Sequence, residues 1–218
     1  MQAISVYEVE PKLFMADDIT LENRSIQETK LLNGMDETFT TEVFINEQLA
    51  QYKKCSFALD EEFKLKARAL GQDLNAVVVR NIYDGYFNTE NGSLIVFANK
   101  VSADNIANFM SSQFNLNYSK KIFNLETIME EASDVRKTQF KNVTIQTLSG
   151  SSLNGSRVNQ TELYDLMNQN GDLSTIAVTY PINNMEVSFS VSVSGSIVLF
   201  SNIENNEVLA LIEDLFLY

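Results

Sequence analysis

The segment Gly92-Ser93-Leu94-Ile95-Val96-Phe97 recurs in the second half of the chain as Gly195-Ser196-Ile197-Val198-Leu199-Phe200. After each comes a short polar step and then apolar residues spaced by three and four. These are Ile106, Phe109, Met110 and Phe114 in the first, and Val208, Leu211, Ile212, Leu215 and Phe216 in the second. Such spacing puts the apolar side chains on one face of a helix. The correspondence extends upstream, where Phe63 through Gly71-Gln72-Asp73-Leu74 matches Leu163 through Gly171-Asp172-Leu173. A pattern carried twice points to one supersecondary unit and its divergent copy.

Each copy reads strand, loop, helix, three strands, helix. In the first, strands are expected near 40–45, 76–82, 83–89 and 93–98, with helices near 60–70 and 103–114. In the second, strands are expected near 142–148, 175–180, 185–193 and 195–201, with helices near 161–169 and 205–216. Asp60 and Asn159 or Gln160-Thr161 stand where a short polar side chain caps free amides. Gly71 and Gly171 stand where helices end. Val187-Ser188-Phe189-Ser190-Val191-Ser192-Val193 alternates apolar and hydroxyl residues, the pattern of a strand with one buried and one wet side.

The expected fold class is therefore α+β: an internal duplication forming an antiparallel sheet with helices on one face and pseudo-twofold symmetry. This element order resembles the duplicated saddle of TATA-binding proteins, in topology alone. The organisation expected is an N-terminal strand and lead-in at 1–35, a first unit at 36–114, a connector at 115–137 and a second unit at 138–218. Leu125, Ile128, Met129, Ala132 and Val135 mark an amphipathic helix in the connector.

Composition narrows the function classes. Apolar residues make up 44% of the 218, enough for a buried core. No apolar run approaches the roughly 20 residues that cross a bilayer. The start, Met1–Tyr7, lacks the basic flank and long apolar stretch of a secretion signal. A cytoplasmic protein with no membrane partner is expected. The formal charge is −13 and there is no histidine. Nucleic-acid binders draw most of their affinity from Lys and Arg on phosphates, so no direct nucleic-acid partner is expected. From Asn142 onward Arg157 is the only basic residue, which favours a protein partner with a basic surface. Abundant Asn and a preference for Lys over Arg point to an AT-rich genome, such as that of a low-GC bacterium or its phage.

Without histidine there is no Ser-His-Asp triad, no Cys-His pair and no imidazole metal ligand. The single cysteine, Cys55, follows Lys53-Lys54, and nearby cations can activate a thiol. A small residue tucked beside a loop is the simpler expectation. Gly150 through Arg157 mimics the spacing of a phosphate loop but lacks its lysine, and reads as a flexible surface loop. Asp60-Glu61-Glu62 and Asp17-Asp18 read as helix-start acids favoured by the dipole. Glu126, Glu130 and Asp134 fall at steps of four along the expected connector helix, a stripe that could meet a basic partner. With Glu204, Glu207, Glu213 and Asp214 of the second unit they form the expected partner-contact set. No catalytic, cofactor-binding or metal-ligating residue is assigned. The apolar end Leu215-Phe216-Leu217-Tyr218 either completes the core or faces a second copy in a homodimer.

The function expected is a non-enzymatic acidic protein-binding module, a phage or mobile-element inhibitor that occupies a basic surface of a host or defence protein. The alternative is a carboxylate-dependent divalent-metal enzyme, or a small-ligand sensor using a cleft between the repeats.

Overall fold

A computed structural model describes residues 1–9, 20–69 and 71–217. The protein is mixed α+β and dominated by antiparallel sheet, with twelve strands and four helices among the described residues. It divides into two compact units, one of Tyr7–Ser119 and one of Met1–Val6 with Lys120–Tyr218. Strand β1 (Gln2–Val9) contributes to both.

The N-terminal unit is a meander of β2 (Arg24–Leu32), β3 (Met35–Leu49), β4 (Tyr52–Ala69), β5 (Gln72–Asn88) and β6 (Leu94–Val96). Helix α1 (Lys100–Phe114) follows, then the short β7 (Tyr118–Lys120). Val43 pairs with Phe57 and Phe57 with Tyr83, so these residues share one sheet face. Val43, Phe57 and Leu59 bury themselves there with Ile106, Phe109 and Met110 of α1. The side chain of Asn99 caps α1 by accepting from the Val101 and Ser102 amides, and Asn115 ends it in the left-handed region.

The first copy departs from expectation at 60–70, where a helix was anticipated and β4 runs instead. Glu, Lys, Ala, Leu and Arg favour helix. Yet Phe63-Lys64-Leu65-Lys66-Ala67-Arg68-Ala69 also alternates with a period of two, and pairing with β5 decides the outcome. Gly71 accordingly turns a hairpin rather than ending a helix. The two strands expected at 76–82 and 83–89 are one continuous β5. The strand-helix-three strands-helix order therefore fails in this unit. Leu70 and the Asp17-Asp18 pair lie outside the described residues.

In the C-terminal unit the strand order is β1, β12 (Ser196–Leu199), β11 (Met185–Ser192), β10 (Asp172–Ile182), β8 (Asp134–Lys141) and β9 (Gly150–Asn154). The helices are α2 (Leu125–Glu131), α3 (Glu162–Asn170) and α4 (Asn205–Phe216). Register places Ile4, Ile197, Val191, Ile176 and Thr138 side by side on one face, all buried. Phe140 meets Tyr164 of α3, and the Tyr180 hydroxyl donates to Asp214 of α4 at 2.5 Å. As the alternation predicts, Val187, Phe189 and Val191 are buried and Ser188, Ser190 and Ser192 half-buried, but the strand ends at Ser192 and Val193, expected on the buried face, is exposed. Leu215 is core and Leu217 is exposed.

Three expectations shift here. The connector helix stops at Glu131, because Ala132 turns extended and the Ser133 amide donates to the Thr179 carbonyl of β10. The strand expected at 142–148 is β8, eight residues earlier at its start, since Asn142 takes a φ of 52° and leaves the sheet. Gly150–Asn154, expected to be a loop, pairs with β8 as an edge strand. Among the described residues no helix is long and apolar enough to cross a membrane.

Candidate binding groove beside helix α1

Beta strands rise more than twice as far per residue as a helix, so α1 covers only part of the sheet face beneath it. Beside its N-cap and first turn the N-terminal unit holds an open cleft of about 770 Å³. Lys30 and Phe39 form one wall, Glu61, Phe63, Val79 and Asn81 the floor, and Asn99, Val101, Ser102 and Asn105 the other wall. A second recess of about 330 Å³ adjoins it, sharing Lys30, Phe39, Asp60, Glu61 and Asn105 and reaching Asn108 and Ser112. Val101, Asn105, Asn108 and Ser112 fall at helical spacing, so one stripe of α1 lines the whole groove.

Glu61 anchors the floor. It accepts hydrogen bonds from Ser102 Oγ at 2.6 Å, Asn81 Nδ2 at 2.6 Å and the Tyr83 hydroxyl at 2.8 Å. Burial works against its charge, and the three donors outweigh burial, holding the carboxyl below the ordinary glutamate range. All three donors are neutral. Burial also raises the Tyr83 phenol, with the Glu61 charge adding to the effect. The Tyr83 and Ser102 oxygens lie 3.0 Å apart, and either hydroxyl can donate to the other. Asn99 Nδ2 donates to Ser102 Oγ at 3.0 Å, closing a network that ties the start of α1 to β4 and β5.

That network is unsuited to nucleophilic catalysis. Ser102 is 2% exposed, and no histidine exists to take its proton. Cys55 is buried, and burial pushes its thiol up to about 12, despite the Lys53 charge beside it. Asp60, next to the groove, accepts from the Thr40 amide and from Arg80. Lys30 places its ammonium 5.1 Å over the Phe39 ring and pairs with Glu28.

The expected contact set lies wholly in the C-terminal unit, spread over α2, β8 and α4. Glu126 and Glu130 are exposed on α2, and Glu126 lines a separate recess of about 430 Å³ with Asn124, Asn168 and Asp172. Asp134 is on β8, not on the helix, so the stripe at steps of four ends at Glu130. Its carboxyl accepts from the Arg157 amide, Ser156 and Arg136, which together hold it below the ordinary aspartate range. Glu204 and Glu207 form the capping box of α4, with the Glu204 amide donating to Glu207. Glu213 and Asp214 sit at the far end of α4, where Asp214 receives Tyr180.

The groove residues were missed because Asp60-Glu61-Glu62 read as a helix start. The two-residue alternation after Glu62 was the signal that places Glu61 and Phe63 on one strand face. Among the described residues no group of three or more His, Cys, Asp or Glu side chains comes together to hold a metal. No protein-family model matches the chain, and no curated protein matches it.

Proposed function

We propose that the chain is a protein-binding module that performs no chemistry of its own. The observation that carries this is the groove. It is open and elongated, with Phe63 and Val101 exposed along it, while its floor carboxylate, Glu61, is hydrogen-bonded to Ser102, Asn81 and Tyr83 rather than poised for reaction. Pockets with spare polar groups suit catalysis; a groove with satisfied polar groups and bare apolar walls suits a partner's surface. The acidic balance favours a basic partner. The composition favours a phage or mobile-element factor acting on a host or defence protein. The shared endings β6–α1 and β12–α4, each a short strand feeding a helix, support reading the two units as divergent copies.

Affinity capture from nuclease-treated lysate of a low-GC bacterium, at low and high salt, tests this. One stoichiometric protein that washes off in high salt is the expected result. Turnover of a substrate by purified protein that captures nothing would sink the reading. Mg²⁺, Mn²⁺ and Ca²⁺ are each expected to leave the melting temperature unchanged, since a metal held by the folded state would raise it.

A further inference from the structure

We propose that the groove beside α1 takes an extended segment of a partner protein, with a lysine or arginine side chain seated above Glu61 and against the Phe63 ring. This rests on the protein-binding reading above and names the chemistry of the occupant.

The argument starts from shape. From Val101 to Ser112 the groove follows α1 for about 16 Å at 1.5 Å per residue. An extended chain covers that length in about five residues. A single small molecule would leave most of such a channel empty. The channel is also open along its length: Phe63 of its floor and Val101 of its wall are 60% and 68% exposed.

Charge selects the side chain. Glu61 is kept ionised at the floor by Ser102, Asn81 and Tyr83, which supply hydrogen bonds but no positive charge. Glu62 and Asp60 lie beside it, and Asp60 is already matched by Arg80. A cation brought in by a partner meets the Glu61 charge and, at once, an exposed aromatic face, while Glu62 alternates to the other face of β4 and adds only longer-range attraction. The Phe39 ring on the opposite wall already holds the Lys30 ammonium at 5.1 Å, so the groove's own chemistry displays the contact a second cation would make at Phe63. An acidic segment is repelled by the same floor.

The test uses the full chain and a fluorescein-labelled eight-residue peptide alternating lysine and valine, with its glutamate–valine counterpart as control. Binding is read by fluorescence anisotropy at low and physiological salt. Saturable one-to-one binding of the lysine peptide alone is expected. Phe63→Ala and the pair Glu61→Gln/Glu62→Gln should each weaken it at least tenfold. Glu126→Gln/Glu130→Gln removes the same charge from the C-terminal unit and should change it less than twofold. No saturable binding, or equal losses from the two charge-removing pairs, overturns the proposal, because attraction to a chain of charge −13 would then suffice. Phe63 is largely exposed, so Phe63→Ala is expected to fold, and unchanged circular dichroism and melting confirm it. A partner captured from lysate equally well by wild type and Phe63→Ala overturns this inference while leaving the binding reading standing.

Discussion

The two units solve the same burial problem with different proportions. In the N-terminal unit β3, β4 and β5 are 15, 18 and 17 residues long under a single helix of 15. In the C-terminal unit the longest strand has 11 residues and three helices of 7, 9 and 12 share the work. Helix α1 extends about 22 Å at 1.5 Å per residue, whereas β4 extends about 60 Å at 3.3 Å per residue. Surplus strand is what leaves the groove and its exposed Phe63. The surface available for binding is thus set by the ratio of strand length to helix cover. Perturbations should therefore act as core damage in one unit and as local damage in the other.

Replacing one glycine in each unit gives the largest contrast. Gly195 has a φ of +75°, and a Cβ there would lie 2.7 Å from the Val6 carbonyl oxygen and 2.9 Å from that of Lys121. Both obstacles are backbone, and the Val6 amide donates to the Gly195 carbonyl at 2.8 Å. Gly195→Ala should cost about 3 kcal/mol, combining left-handed strain with a clash that cannot relax cheaply. Gly34 has a φ of +83° in the β2–β3 turn, with nothing within 4 Å of a Cβ. Gly34→Ala should cost only the strain, about 1 kcal/mol. Urea midpoints measure both. Equal losses would mean that the backbone around Gly195 yields, and the contrast between packed and open would fail.

The carboxylates sharpen the comparison at smaller amplitude. Glu61→Ala strips Ser102, Asn81 and Tyr83 of a shared acceptor and leaves the buried Ser102 hydroxyl to find another, a loss of about 2 kcal/mol. Glu130→Ala on the exposed side of α2 should stay within about 0.5 kcal/mol. A pH series adds a sign. The folded carboxyl of Glu61 titrates below its unfolded value, so its stabilisation is complete above about 4.3 and fades as pH falls through the lower, folded value. The stability advantage of wild type over Glu61→Gln should therefore shrink on acidification. An advantage that grows toward low pH would mean that Glu61 is held neutral in the fold.

Legibility in the sequence followed the same divide. The helix at Asn205–Phe216 was readable, because its apolar spacing and its polar start agree. Strands β10, β11 and β12 were readable because Val, Ile and Phe alternate with Ser and Thr there. The long ribbon was not, since Asp60–Ala69 carries helix-forming residues in a strand's rhythm and only the partner strand settles which wins. Asp134 was misplaced for a related reason. Steps of four continue on paper from Glu126, but the Ser133 amide is taken by Thr179 and the helix cannot include it. The groove was invisible because it depends on where α1 runs out relative to β4, a length comparison between elements that local pattern does not contain.

The smallest expected effect is a gain, and it bears on how well each core is finished. Thr138 lies on β8 opposite Ile176, on the face that carries Val191 and Ile197, and is fully buried. Its Oγ1 has no hydrogen-bond partner. Valine has the same branched shape and keeps the strand preference, so Thr138→Val changes one thing only: a stranded hydroxyl becomes a methyl. Relieving that desolvation should raise stability by about 1 kcal/mol. Ser93 in the N-terminal unit also buries an unpaired hydroxyl, but it sits at the head of β6, where its amide is held by Asn91. Ser93→Ala gives up some contact as well as the hydroxyl, and should come out near zero. A gain at Thr138 with no gain at Ser93 would mark the C-terminal unit as the more tightly packed of the two. A loss at Thr138 would mean that its hydroxyl is satisfied in solution and that this core has room for a bound water.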